Sequence, residues 1–156
     1  MDQRTQQEAR VWSRVMASSS QSGDSTAGCP TAETLMELIR GELADACVYR
    51  YLAGRVCCPG DKEALLCLAK EEQSHARQLS AAYFVLTGKK ACPGKPDHPC
   101  VTCVAETLRQ QYFGELEGAK RYNAMETGQF AETFHCLSRE EQDHARRLLC
   151  IMGTSV

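Results

Sequence analysis

The sequence predicts an all-α protein: an antiparallel four-helix bundle with a long crossover between helices 2 and 3, preceded by a short N-terminal helix. Three observations predict it. Alternating steps of three and four run through Leu65, Leu68, Glu72, His75, Leu79, Ala82 and Leu86 and again through Phe134, Leu137, Glu141, His144, Leu148 and Ile151, which is the spacing of one helical face. The segment Glu-Gln-Ser-His-Ala-Arg-Gln-Leu at 72–79 nearly repeats at 141–148 as Glu-Gln-Asp-His-Ala-Arg-Arg-Leu, so the chain reads as two hairpins of similar design. The five prolines fall mostly between these periodic segments, and β-branched runs are few. At 156 residues the chain is long enough for one domain with a sizeable core.

Residues 3–17 read as a helix with Val11, Trp12, Val15 and Met16 on one face, and the serine-rich stretch 18–25 reads as a flexible linker. Residues 1–30 are therefore an N-terminal segment and 31–156 the bundle. The Trp12 face packs on the bundle or a neighbouring subunit, or serves as a docking element. Thr31 is a cap for the first helix, which runs to about Gly54 with Leu35, Leu38, Glu42, Asp45, Tyr49, Leu52 and Val56 in its stripe. Cys57-Cys58-Pro59-Gly60 is a turn. Asp61 is then a cap for the second helix, which continues to about Leu86.

Residues 87–101 are rich in Pro, Gly and Lys and cannot form a long helix. Extended, such a link spans ~50 Å, against ~36 Å for a bundle helix, so it can run the bundle's full length. The third helix is expected from about Thr102 to Glu126, with a weaker stripe of Leu108, Gln111, Glu115, Gly118, Tyr122 and Met125. The fourth is expected from about Phe130 to Met152.

The net charge of −2 and the lack of a basic stripe give no case for nucleic acid. No apolar run approaches the ~20 residues of a membrane span. Asp2, Arg4, Glu8 and Arg10 interrupt any apolar stretch at the start, so no signal peptide is expected and a cytoplasmic protein is.

Glu and His stand where the stripes call for Leu. Glu72 and His75, and Glu141 and His144, are three residues apart and share a helical face. Glu42 and Glu115 open the paired segments 42…72/75 and 115…141/144, each with a tyrosine seven residues later, Tyr49 and Tyr122. Matching distances from the two turns place all six ligand-type residues level, at mid-bundle. A lone buried carboxylate loses its hydration and sooner takes up a proton, and four together repel. Two divalent cations remove both problems. An oxygen-rich set with one imidazole per metal suits iron or manganese better than structural zinc.

This pattern resembles the ferritin-like di-iron carboxylate superfamily, whose template is a Glu from each of two helices and Glu-x-x-His from the other two. Within it the chain most resembles the rubrerythrin type, over roughly residues 31–152. The resemblance implies two iron ions, with Glu72 and Glu141 as bridging, catalytic ligands and Glu42 and Glu115 as outer carboxylates. It implies that His75 and His144 each serve one iron and that Tyr49 and Tyr122 hydrogen-bond ligand carboxylates. Two departures stand out. Rubrerythrins carry a further Glu where this chain has Gly118; Asp45, at the repeat-equivalent place, either replaces it or orients a histidine. A rubredoxin module, which needs two Cys-x-x-Cys pairs, is missing, so electrons come from a separate donor protein or through the chain's own thiols.

Of ten cysteines, Cys47, Cys67, Cys136 and Cys150 fall within helices and read as small buried hydrophobes. Cys92, Cys100 and Cys103, with His98 among them, leave three readings open: a redox dithiol, a zinc knot, or inert loop thiols. For the whole chain, the leading expectation is an oxidoreductase that reduces hydrogen peroxide or oxygen, in a homodimer. Iron oxidation and storage in a multi-subunit shell is a second. A metal-stapled bundle without enzymatic activity is a third, and a dinuclear manganese catalase belongs with the first.

Overall fold

The computed structural model describes residues 29–155; the expected N-terminal helix and linker lie outside the described residues. Four α-helices and one short 3-10 turn are present, and no strand occurs among the described residues. The helices are α1 (Ala32–Ala53), α2 (Pro59–Thr87), α3 (Val104–Ala124) and α4 (Ala131–Ser155), with the 3-10 turn at Gly128–Phe130 leading into α4. Short turns make α1–α2 and α3–α4 two hairpins, and α2 and α4 bring the hairpins together.

Local chemistry sets these bounds. Thr31 caps α1, its hydroxyl accepting from the Thr34 amide at 3.1 Å. The second helix starts earlier than expected. Pro59 supplies a pre-set φ and no lost donor at the first helical position, so Cys58 is the cap residue and Asp61 sits inside the first turn. There Asp61 is buried and accepts from the Thr154 hydroxyl near the end of α4, at 3.1 and 3.2 Å. Gly88 ends α2 in the left-handed region (φ 69°), its amide donating to Phe84 O at 2.8 Å. Gly128, at φ 67°, turns the chain into α4.

The connection 88–103 has no helix of its own and lies against α1. Arg40 Nε donates to Pro93 O at 3.1 Å, and the His98 ring meets Tyr51 edge-on at 6.1 Å. Val101 then joins the core beside Leu52 and Leu108.

Two apolar clusters fill the interior. One gathers Leu35, Leu38, Ile39, Leu79, Phe134 and Leu137, and the other Leu52, Leu65, Leu68, Leu108, Leu148 and Ile151. Between them lies a polar layer. Burying a Leu contributes ~1.5–3 kcal/mol, and the bundle forgoes that at six adjacent core positions. The expected stripe holds through Ala82, while Leu86 reaches the surface.

The cysteine expectation needs correction. Cys67, Cys136 and Cys150 are exposed and Cys47 is half-buried. Cys67 and Cys136 precede their glutamates by five residues, which turns them ~140° away from the seam.

Candidate metal centre

The polar layer is made of Glu42, Glu72, His75, Glu115, Glu141 and His144, all buried, with both histidines 1 % exposed. One residue comes from each of α1 and α3 and two from each of α2 and α4, so every helix contributes. Glu72, His75, Glu141 and His144 offer ligand atoms within 4.8 Å of one another and could hold a metal ion.

The pairing inside the layer is specific. Glu72 spans both imidazoles, with Oε2 3.2 Å from His75 Nδ1 and Oε1 2.7 Å from His144 Nδ1. Glu141 also spans both, at 2.9 Å from His75 Nδ1 and 3.9 Å from His144 Nδ1. The outer two face one ring each: Glu42 is 3.1 Å from His75 Nδ1, and Glu115 is 3.5 Å from His144 Nδ1. The rings stack at 5.2 Å and turn the same nitrogen inward.

Each outer carboxylate is held from the apolar cluster beside it. Tyr122 OH donates to Glu42 Oε1, and Tyr49 OH donates to Glu115 Oε1. Burial and the adjacent carboxylates hold both phenols protonated. Tyr49→Phe or Tyr122→Phe leaves a buried carboxylate oxygen without its donor, which costs ~1–3 kcal/mol. Melting of the purified variants should fall by roughly 2–4 °C per kcal/mol, and an unchanged melting temperature would contradict this account of the bond.

Electrostatics strain the layer. Burial pushes the Glu42 carboxyl up to about 8, and burial with Glu115 alongside pushes Glu141 up to about 11. Burial opposes charge on His144, but Glu115 and Glu72 outweigh it and push the imidazole up to about 9. His75 is pushed up likewise by Glu141, Glu42 and Glu72. Burial alone would raise Glu72, yet the two histidines hold it well below the carboxylate range. Without cations the layer gathers protons.

The donor set fits metal ions on two structural grounds. Glu72 Oε1, Glu141 Oε1 and His144 Nδ1 are buried without a hydrogen-bond partner, although they sit close to oppositely charged atoms. Their approach lacks hydrogen-bond alignment, as when lone pairs converge on a shared cation rather than on a proton. Gly118, moreover, leaves room beside Glu141, where a Cβ would lie 3.4 Å from Oε2. A cavity of about 280 Å³ opens there between α1 and α3, past Gly41, Gly114 and Asp45.

Asp45 orients neither histidine. It accepts from Gln111 Nε2 at 2.8 Å, and burial pushes its carboxyl up to about 7. A folded-state pKa raised above 3.8 means that ionisation is penalised by folding; the penalty is absent below that value and complete above about 7. In metal-free protein, Asp45→Asn should therefore raise the melting temperature at pH 8 and lose its advantage towards pH 4. A benefit independent of pH would refute this.

The histidines instead lean on two residues that sequence reasoning missed. His75 Nε2 lies 2.8 Å from Glu140 Oε2, and His144 Nε2 lies 3.2 Å from Glu71 Oε2. A ring protonated on Nε2 donates outward and turns its Nδ1 lone pair inward. The available signal was the doubled acid: Glu71-Glu72 and Glu140-Glu141 occur in both copies of the repeat.

The loop thiols form no comparable group. Among the described residues, only the Glu72 group brings three or more ligand-type side chains within coordinating reach, so the zinc knot of Cys92, His98, Cys100 and Cys103 is not formed. All ten cysteines are free. No helix is long and apolar enough to cross a membrane, among the described residues. No protein-family model, curated protein or solved structure matches this chain.

Proposed function

We propose that this chain is a ferritin-like, rubrerythrin-type di-iron oxidoreductase that reduces hydrogen peroxide with electrons from a separate donor protein. One observation carries the reading: Glu72 and Glu141 each face both imidazoles, whereas Glu42 and Glu115 face one apiece. Two shared and two unshared carboxylates, with one nitrogen each, would make two positions side by side. Glu42 and His75 would complete one and Glu115 and His144 the other. The connection along α1 supports the ferritin-like connectivity.

Iron, or manganese as the other oxygen-loving candidate, would supply the two electrons that peroxide takes up, with two protons, on becoming two waters. The protein's own part is positional. Tyr122 and Tyr49 fix the outer carboxylates, Glu140 and Glu71 set the imidazole tautomers, and the two apolar clusters keep bulk water from the layer. The cavity of about 280 Å³ lined by Gly118 and Glu141 would give a small oxidant its approach. Asp45 lies at its rim, its carboxyl pushed up by burial in the metal-free layer.

Ten free thiols suit a reducing compartment such as the cytoplasm. A homodimer belongs to the same reading, with Phe84, Val85 and Phe113 as exposed apolar surface for it to cover. The test is anaerobic: protein loaded with ferrous ion should oxidise two irons per peroxide, with a rapid absorbance change. Equal peroxide consumption by the iron-free protein would end the proposal.

A further inference from the structure

The internal duplication supplies a comparison within one molecule. Aligning the copies in α2 and α4 pairs Glu71 with Glu140, His75 with His144, Ser74 with Asp143, and Gln78 with Arg147. Each histidine faces the groove-side carboxylate of the other copy, His75 through a hydrogen bond to Glu140 and His144 within ion-pair range of Glu71, so the choice of residues in this first layer is symmetric.

The next layer is not. Arg147 donates to Glu71, and its Nε lies 3.1 Å from Asp143 Oδ2. Glu71 is thus shared between a guanidinium and an imidazole. Glu140 meets His75 but, among the described residues, pairs with no arginine or lysine. The place that would supply one is Gln78, which lines the same groove between α2 and α4 as Glu140. His75 Nε2 hydrogen-bonds Glu140 at 2.8 Å, whereas His144 Nε2 lies 3.2 Å from the shared Glu71 without a hydrogen bond.

A carboxylate that accepts from an imidazole N–H makes the opposite nitrogen a stronger metal donor. A guanidinium on that carboxylate draws its charge away and weakens the effect. We propose that Arg147, by engaging Glu71, makes the His144 half of the centre the weaker of two metal positions, so that the His75 half fills first. The inference rests on the two-metal reading above. It assigns Arg147 and Gln78 a positioning role in which they act on the ions through Glu71 and Glu140.

Manganous ion can test this without any turnover. Full-length metal-free protein is titrated, with free ion followed by electron paramagnetic resonance and heat by calorimetry. Two steps are expected, separated by about tenfold or more, the usual scale of outer-shell effects. Arg147→Gln should tighten the second step and leave the first. Gln78→Arg, a change on the groove surface, should weaken the first step and leave the second. Both narrow the gap, from opposite sides.

A general loss of fold would instead weaken both steps together. Mutual repulsion of the two ions could space the native steps by itself, but neither substitution would then alter the spacing. Either result overturns the proposal, as does a native protein with a single step for two ions. Failure to bind manganese at all would remove the two-metal reading along with it.

Discussion

On the proposed two-metal, peroxide-reducing reading, Glu72→Ala, and separately Glu141→Ala, should reduce bound metal from two ions per chain to fewer than one and bring peroxide-dependent oxidation down to the metal-free level. Each of these carboxylates faces both imidazoles, so one truncation removes a ligand from both positions. It also leaves two buried histidines with less negative charge to face. Glu42→Ala and Glu115→Ala should behave differently. Each of those glutamates faces a single imidazole, so one position should survive and about one ion should remain. The contrast makes the test specific, because a merely unfolded protein would lose metal in all four variants alike. Elemental analysis after gel filtration, with circular dichroism to check helicity, reads both quantities. Two ions retained by Glu72→Ala would contradict the shared-ligand geometry.

The six layer residues were legible because a helix announces its buried face by period, and an ionisable residue in that period has a cost needing compensation. One Glu-x-x-His carries little information; two copies at matched depth, each with a Glu on the preceding helix, carry much more. Glu71 and Glu140 were not legible in the same way. They sit one position off the seam, where a solvated acid is ordinary, and matter only because α2 and α4 lie side by side across a groove. That adjacency is a tertiary fact. Asp45 shows the converse. Its repeat position offered it as a replacement for the Glu missing at Gly118, with orienting a histidine as the alternative, but both rings turn Nε2 towards the α2–α4 groove, away from α1. Cys67 and Cys136 show the limit of residue type as a guide. Cysteine often behaves as a small buried apolar group, yet helical angle outweighs that tendency here.

Metal removal should make the protein sensitive to alkali. In the metal-free layer Glu42, Glu141, His75 and His144 all hold protons more tightly than the unfolded chain does. For His144 the stabilisation is complete below 6.5 and is lost as pH rises through about 9. For Glu42 the neutral form costs little below 4.5, and the burial penalty grows as pH rises towards about 8. Both signs agree: between pH 6 and 9 the folded state binds more protons than the unfolded one, so stability falls with rising pH. Each net proton is worth about 1.4 kcal/mol per pH unit, or very roughly 3–6 °C of melting temperature in a chain of this size. Glu72, held low, acts oppositely and only in acid. Bound cations reverse the dependence, because they displace those protons and bind more tightly as pH rises. At a hundredfold excess over the dissociation constant, a bound ion adds ~2.7 kcal/mol. The melting curves with and without manganous ion should therefore draw together towards pH 6 and diverge towards pH 9. Proton release on metal addition, followed in weak buffer, should be greatest near neutrality. Parallel curves across that range would mean that cations and protons do not compete for this layer.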